Sequence, residues 1–88
     1  MNQAAAAATA PGRELFVRIA RREGRSVAVL RAIDYGRECV VETEVFPPGV
    51  TTAKRAGPYT FPDARQATVF VTEAVEALMY LGCDVQAS

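Results

Sequence analysis

The sequence contains no histidine and no tryptophan, and only two of its 88 residues are cysteines. Without histidine it lacks the residue that proteins use most often as a general base and metal ligand. Cys39 and Cys83 do not have the spacing of a zinc motif, and no histidine is present to complete one. No apolar run reaches the roughly 18 residues that a membrane-spanning helix needs. These absences argue against zinc proteins and membrane-spanning proteins.

Neither the charges nor the motifs of the sequence indicate a catalytic function. Ten basic and ten acidic residues give a formal net charge of zero, which offers no electrostatic reason for tight nucleic-acid binding. The sequence has no glycine-rich phosphate loop, nucleophile elbow or HExxH motif. The carboxylate pairs Glu42/Glu44 and Glu73/Glu76 fall on faces expected to be solvated, where nothing separates their pKa values. We therefore expect a protein that is not an enzyme, with no catalytic residues, metal or cofactor.

The first dozen residues differ from the rest of the chain. Residues 1–12 are rich in alanine, carry no charged side chain and end in Pro11-Gly12. They lack the basic start and the strongly apolar core of a signal peptide. An isolated alanine helix of this length is marginal in water. We predict a disordered tail over residues 1–12, followed by a single α+β domain over residues 13–85, in a cytoplasmic protein with free thiols.

Two glycine turns predict an antiparallel meander of three strands across residues 13–46. Glu23-Gly24 and Tyr35-Gly36 are each interpreted as a two-residue hairpin loop. In that register Leu30 lies opposite both Val17 and Val41, and the two turns agree on which side chains share a face. The face predicted to lie under the helix, the inner face, carries Leu15, Val17, Ile19, Ala28, Leu30, Ala32, Cys39, Val41 and Val45.

The opposite face, the outer face, is more apolar than a solvated sheet surface should be. A large apolar surface on a soluble protein usually marks a contact site. This makes the outer face the candidate interface or nucleic-acid face. Its predicted members are Phe16, Arg18, Ala20, Val27, Val29, Arg31, Ile33, Val40, Glu42 and Glu44.

Three interpretations of the outer face stay open. The first is self-association into a homodimer, the commonest kind of oligomer. The second is single-stranded nucleic-acid binding, with Phe16 stacking on a base and Arg18, Arg22 and Arg31 contacting phosphates. The third is contact with another protein, or a cover supplied by a loop of the same chain. No membrane partner is expected.

The second half of the sequence predicts a helix that packs on the inner face. Asp63 is a favourable N-cap, Gln66 stands where a capping box needs it, and Gly82 marks the end. Before the helix, residues 50–55 or 59–61 are expected to supply a fourth strand. The long connection carries Lys54, Arg55 and Tyr59, which we take as a candidate functional loop.

The entry to this helix carries a family resemblance. The segment from Gly57 to Asp63 looks similar to the way a PUR repeat enters its helix, and the layout over about residues 13–82 resembles PUR repeats and their whirly-like relatives. In those proteins the face away from the helix carries aromatic and basic residues, and repeats pair into dimers. Phe16, Arg18 and Arg31 stand at comparable places. The resemblance implies single-stranded nucleic-acid binding as the alternative function.

Overall fold

The computed structural model describes residues 12–50 and 52–88. It contains a five-stranded antiparallel sheet and a helix packed against it, which confirms the predicted α+β fold. Apart from Gly12, the predicted tail lies outside the described residues. Within the described residues, no helix is long and apolar enough to cross a membrane. The elements are β1 (Arg13–Arg22), β2 (Arg25–Asp34), β3 (Cys39–Val45), β4 (Lys54–Phe61), α1 (Ala64–Tyr80) and β5 (Asp84–Ala87).

The strand order in the sheet is β4-β3-β2-β1-β5, so α1 connects one edge of the sheet to the other. The expected fourth strand is present as β4. The fifth strand was not predicted from the sequence. It pairs antiparallel with β1, from Arg18 opposite Ala87 to Arg21 opposite Asp84. The sheet therefore continues to Ala87, beyond the predicted domain end at residue 85.

The first hairpin has the predicted turn but a different register. Glu23 and Gly24 have φ angles of 53° and 77°, and Arg22 pairs with Arg25 across the turn. The ladder then shifts between Ala20 and Arg21, where β2 contributes an extra residue and forms a β-bulge. A shift of one residue reverses which side chains lie on each face of the sheet. The faces predicted for the residues in the middle of β1 are therefore wrong.

The reversal exchanges side chains between the two faces. Val17 pairs with Arg31 instead of Leu30, and Ile19 pairs with Val29 instead of Ala28. Val17 and Ile19 therefore lie on the outer face, although the sequence placed them on the inner face.

The second hairpin has a longer loop than predicted. Asp34 Oδ1 accepts a hydrogen bond from the Gly36 amide at 2.8 Å, and the Tyr35 amide donates to the Glu38 carbonyl at 2.9 Å. Residues 35–38 form the loop, so Ala32 lies opposite Val41 rather than Cys39. A shift of two residues leaves the alternation unchanged. β2 and β3 therefore keep their predicted faces.

The helix has the predicted ends. The Asp63 carboxylate accepts a hydrogen bond from the Gln66 amide at 2.8 Å, as an N-cap should. At the other end, Gly82 has a φ of 95° and donates to the Met79 carbonyl, and the Cys83 amide donates to Leu78. This is a Schellman motif, which directs the chain from α1 into β5.

The core lies between α1 and the inner face. It is built from small side chains, which allow the helix to approach the sheet closely. Phe61, Phe70, Leu78 and other partly buried residues surround it. Its buried members are Ala20, Ala28, Leu30, Ala32, Cys39, Val41, Ala67, Val71 and Cys83.

Candidate functional site

The outer face is the sheet surface opposite α1. Cross-strand partners share a face, so the register defines its members: Val17, Arg31 and Glu42 form one row across the sheet. Among the described residues α1 is the only helix, and it packs on the inner face. The apolar members of the outer face are Val17, Ile19, Val29, Ile33 and Val40. Its charged members are Glu14, Arg21, Arg31, Glu42, Glu44, Arg55 and Asp84.

Side chains on the outer face are less buried than those on the inner face. Ala32 and Val41 on the inner face are 0% exposed, because α1 forms a second layer above them. Ile19, Val29 and Val40 on the outer face are half-buried. Neighbouring side chains shield them from the sides, but no described layer closes over them. The outer face therefore carries accessible apolar surface between its charged groups.

Val17 is an exception, since it lies on the outer face and is only 7% exposed. Its direct partner is Arg31, whose side chain reaches back to β1 and places Nε 3.1 Å from Glu14 Oε1. Long arginine side chains often cover apolar neighbours with their methylene groups. We attribute the burial of Val17 to this arrangement.

Arg31 is the centre of the charged cluster. Besides Glu14, its Nη1 atom lies 3.9 Å from Glu42 Oε1. The three side chains are 43–56% exposed, so each ion pair contributes at most about 1 kcal/mol. Glu44 of β3 and Arg55 of β4 are direct cross-strand neighbours. The outer face therefore mixes both signs and has more carboxylates than guanidinium groups.

Four residues predicted for the outer face lie elsewhere, and one of them is Ala20, which pairs with Ala28 and is fully buried in the core. Phe16 pairs with Ala32 and packs against the core, and Arg18 follows it, with its guanidinium carbon 4.9 Å from the centre of the Phe16 ring. Val27 is the extra residue of the bulge and also packs against the core. The reason is the one-residue shift in β1, which a pattern of alternation alone does not reveal. Val29, Arg31, Ile33 and Val40 lie on the outer face as predicted.

Val17 and Ile19 are the apolar outer-face residues that sequence reasoning missed. The run from Leu15 to Ile19 has apolar residues in both phases of the alternation, so either phase gave an acceptable inner face. A bulge is the only feature that decides between the phases, and bulges have no strong sequence signal except glycine.

The predicted functional loop is a strand. Lys54, Arg55 and Tyr59 all belong to β4, an edge strand. Their side chains do not converge, since Arg55 pairs with Glu44 on the outer face while the Tyr59 ring lies on the helix side. The centre of the Tyr59 ring is 4.9 Å from the centre of the Phe70 ring. The three residues therefore do not form one site.

A small hollow on the outer face lies where β3 and β4 change register. It has a volume of about 80 Å³ and is lined by Val29, Arg31, Thr43 and Arg55, among others. Thr43 pairs with Leu30, so its side chain lies on the inner face, where the Oγ1 atom is buried without a hydrogen-bond partner. Pockets for drug-sized ligands span roughly 300–1,000 Å³. This hollow is far below that range.

The two cysteines are free and buried. Burial raises the pKa of the Cys39 thiol, and the neighbouring Asp34 carboxylate raises it further. This thiol is therefore held protonated and unreactive. In the described part of the chain, no three histidine, cysteine or acidic side chains come together as a metal-binding group.

Comparison with family models, curated proteins and solved structures finds no match to this chain. The resemblance to PUR repeats therefore gains no support from these comparisons.

Proposed function

We propose that this protein is a small non-catalytic interaction module that forms a homodimer through its outer face. The observation that carries the proposal is the apolar group of Val17, Ile19, Val29, Ile33 and Val40 on a sheet surface over which residues 12–50 and 52–88 place no second layer. Two such sheets can stack about 10 Å apart, and each then supplies the layer that the other lacks.

The charges of the outer face fit contact with a second copy. In a two-fold contact the same surface is presented by both partners, so it must be complementary to itself. Arg31 and Arg55 stand beside Glu14, Glu42 and Glu44, which gives each copy both donors and acceptors of ion pairs. A face with both signs can match itself, whereas a face of one sign would repel its copy.

The same charges weaken the nucleic-acid alternative. The stacking residue, Phe16, and one proposed phosphate contact, Arg18, lie on the helix side of the sheet. The outer face has four carboxylates against three guanidinium groups. Phosphate binding depends on an excess of cations. This balance favours protein contact over nucleic-acid contact.

The test is sedimentation velocity over a wide range of protein concentrations. We expect a dimer for the wild type and a monomer for Val29→Glu, because the new carboxylate would lie directly opposite Glu44 and would be buried at the contact beside a like charge. Val69→Glu is the matched control, since Val69 is 45% exposed on the helix and should leave the dimer intact. Circular dichroism confirms that both variants are folded.

A wild type that stays monomeric at every concentration would contradict the proposal, as would a Val29→Glu variant that still dimerises. Titration with a labelled single-stranded oligonucleotide at two salt concentrations separates the alternative. Salt-sensitive binding that shifts the amides of Val29 and Arg31 would favour nucleic-acid binding instead.

A further inference from the structure

A groove on the helix side of the sheet is separate from the outer face. It lies where α1 ends, between the tip of the β1–β2 hairpin and the chain that follows β3. Its volume is about 590 Å³. The lining divides into an apolar floor and a charged rim at the hairpin. The floor is Val27, Phe46, Leu78 and Cys83, Leu81 forms one side, and the charged rim is Arg22, Glu23 and Arg25.

The groove is a consequence of how α1 ends. The Schellman motif turns the chain at Gly82 towards β5, so the helix stops before it covers the hairpin end of the sheet. The bulge in β2 adds Val27 to the floor. Leu81 lies at the side of the groove and is 65% exposed. An apolar side chain this exposed, beside an apolar floor, indicates a surface suited to an apolar ligand.

The rim has an unusual arrangement of charge. Arg22 and Arg25 are direct partners across the hairpin. Like charges placed opposite each other destabilise a strand pair. Across residues 12–50 and 52–88, neither guanidinium group takes part in an ion pair, and the nearby Glu23 is not within ion-pair distance of either. An anion between the two arginines would remove their repulsion.

We propose that this groove binds a monomeric amphiphilic anion. The hydrocarbon chain would lie on the floor, and a carboxylate or similar head group would lie between Arg22 and Arg25. The volume falls within the range of small-molecule sites, and the combination of an apolar lining with a few charged groups is typical of them. Charge-assisted hydrogen bonds from guanidinium groups suit such a head group well.

The probe is sodium decanoate, kept below its micelle concentration. We expect decanoate to shift the amide resonances of Val27, Leu78 and Leu81. The amide of Cys39 is the internal reference and should not shift, because Cys39 is buried in the core away from the groove. Decyltrimethylammonium has the same chain with the opposite charge and should bind at least tenfold more weakly, since it would meet two arginines.

Two pairs of variants locate the site. Arg22→Gln/Arg25→Gln should weaken decanoate binding about tenfold, and Arg37→Gln/Arg65→Gln, which changes two exposed arginines elsewhere, should not. Leu81→Glu places a carboxylate at the groove and should also weaken binding. Met79→Glu is its control, because Met79 is 57% exposed near the same helix end but does not line the groove.

Several outcomes would overturn the proposal. Equal binding of decanoate and decyltrimethylammonium would remove the role of the arginines. Shifts confined to Val29 and Ile33 would move the ligand to the outer face. Binding to anionic lipid vesicles without binding to monomeric decanoate would identify a membrane surface instead. The absence of any binding to the wild type would end the proposal directly.

Discussion

Val40 and Val41 are neighbours in β3 with identical side chains, and they lie on opposite faces of the sheet. Val41 is 0% exposed under α1, while Val40 is half-buried on the outer face. The difference does not come from the residue type or the strand, because both are shared. It comes from the second layer, which, in the described part of the chain, α1 provides on the side of Val41. An apolar strand pattern therefore identifies two apolar faces but not which one forms the core.

The helix end differs from both faces of the sheet. Met79, Tyr80 and Leu81 are 57%, 91% and 65% exposed, more than any apolar side chain of the outer face. A sheet side chain has neighbours on all sides that shield it, whereas a helix end projects into solvent. The outer face is thus a broad surface of partly shielded groups, and the helix end is a narrow one of exposed groups. These shapes suit a second sheet and a small ligand, respectively.

The largest expected effect tests the difference between the two valines. Val41→Ala should lower the free energy of unfolding by about 2 kcal/mol, because it leaves a cavity under α1. Val40→Ala should cost less than about 1 kcal/mol, because the site can relax into solvent. Urea denaturation at low protein concentration measures both values. Equal costs would mean that the outer face is covered as closely as the inner face.

The same pair of variants can sharpen the proposal of a dimer. If two outer faces stack, the cost of Val40→Ala should grow as the protein concentration rises, because the dimer adds to the stability of the folded state. The cost of Val41→Ala should stay constant. A constant cost for Val40→Ala across the dimer transition would show that the contact lies elsewhere.

The next effect concerns the edge strand β4, whose Tyr59 ring packs against Phe70 of α1. Gly57 has a φ of 85°, and a Cβ atom there would lie 2.8 Å from the Tyr59 ring. Gly57→Ala should destabilise the fold by about 2 kcal/mol, from backbone strain together with the displaced ring. Gly49→Ala is the control, since Gly49 has a φ of 74° but a Cβ atom added there would have no other atom within 4 Å.

Thermal denaturation of the two glycine variants separates strain from contact. The control should lose only about 1 kcal/mol, which is the cost of positive φ alone. If both variants lose the same amount, the contact of Gly57 with Tyr59 does not contribute. The packing of the Tyr59 ring against Phe70 would then be of little importance for the helix side of the sheet.

A smaller effect is expected at the charged rim of the groove. Arg22→Gln/Arg25→Gln should raise the free energy of unfolding by about 0.5 kcal/mol in the absence of a ligand, since it removes a repulsive cross-strand pair. The gain should shrink at high salt, which screens the repulsion in the wild type. A loss of stability would mean that the two arginines support the hairpin, and that no anion is needed between them.

The smallest effect is the pH dependence contributed by the loop after β2. The hydrogen bond from the Gly36 amide lowers the pKa of Asp34 below its ordinary value of 3.8, and Arg13 lowers it further. The folded state therefore binds the proton more weakly than the unfolded state. The resulting stability is complete above about pH 3.8 and disappears as the pH falls through the lowered value.

Asp34→Asn tests this linkage by removing the titrating group. Chemical denaturation across the acid range should give a flatter dependence of stability on pH for the variant than for the wild type. Parallel curves for the two proteins would show that Asp34 does not contribute. Glu38→Gln, at an exposed position in the same loop, controls for the loss of one negative charge.

The sequence predicted more of the helix than of the sheet. Asp63 and Gly82 mark the ends of α1 because capping is local, and both act as expected. The loop after β2 has four residues instead of the predicted two. The faces of β2 and β3 are nevertheless predicted correctly, because the error is an even number of residues. The bulge near Ala20 had the opposite effect, since one extra residue moved Phe16 and Ile19 to the faces opposite those predicted.

β5 shows a further limit of sequence reasoning. Asp84–Ala87 is too short to carry a periodic signal, and it becomes a strand because β1 offers it a free edge. Such pairing is decided by tertiary structure, which a local pattern does not contain. The sequence does not reveal the groove beside Leu81 for the same reason, since its lining comes from three separate parts of the chain.

The route of α1 between the two edges of the sheet has a dynamic consequence. The N-terminal end of the helix is connected to the edge strand β4 and its C-terminal end to the edge strand β5, so the helix is anchored at both edges of the sheet. It cannot swing away from the sheet unless one of the outer ladders also opens. Native-state hydrogen exchange should therefore report the helix and at least one edge strand opening together, as one cooperative unit.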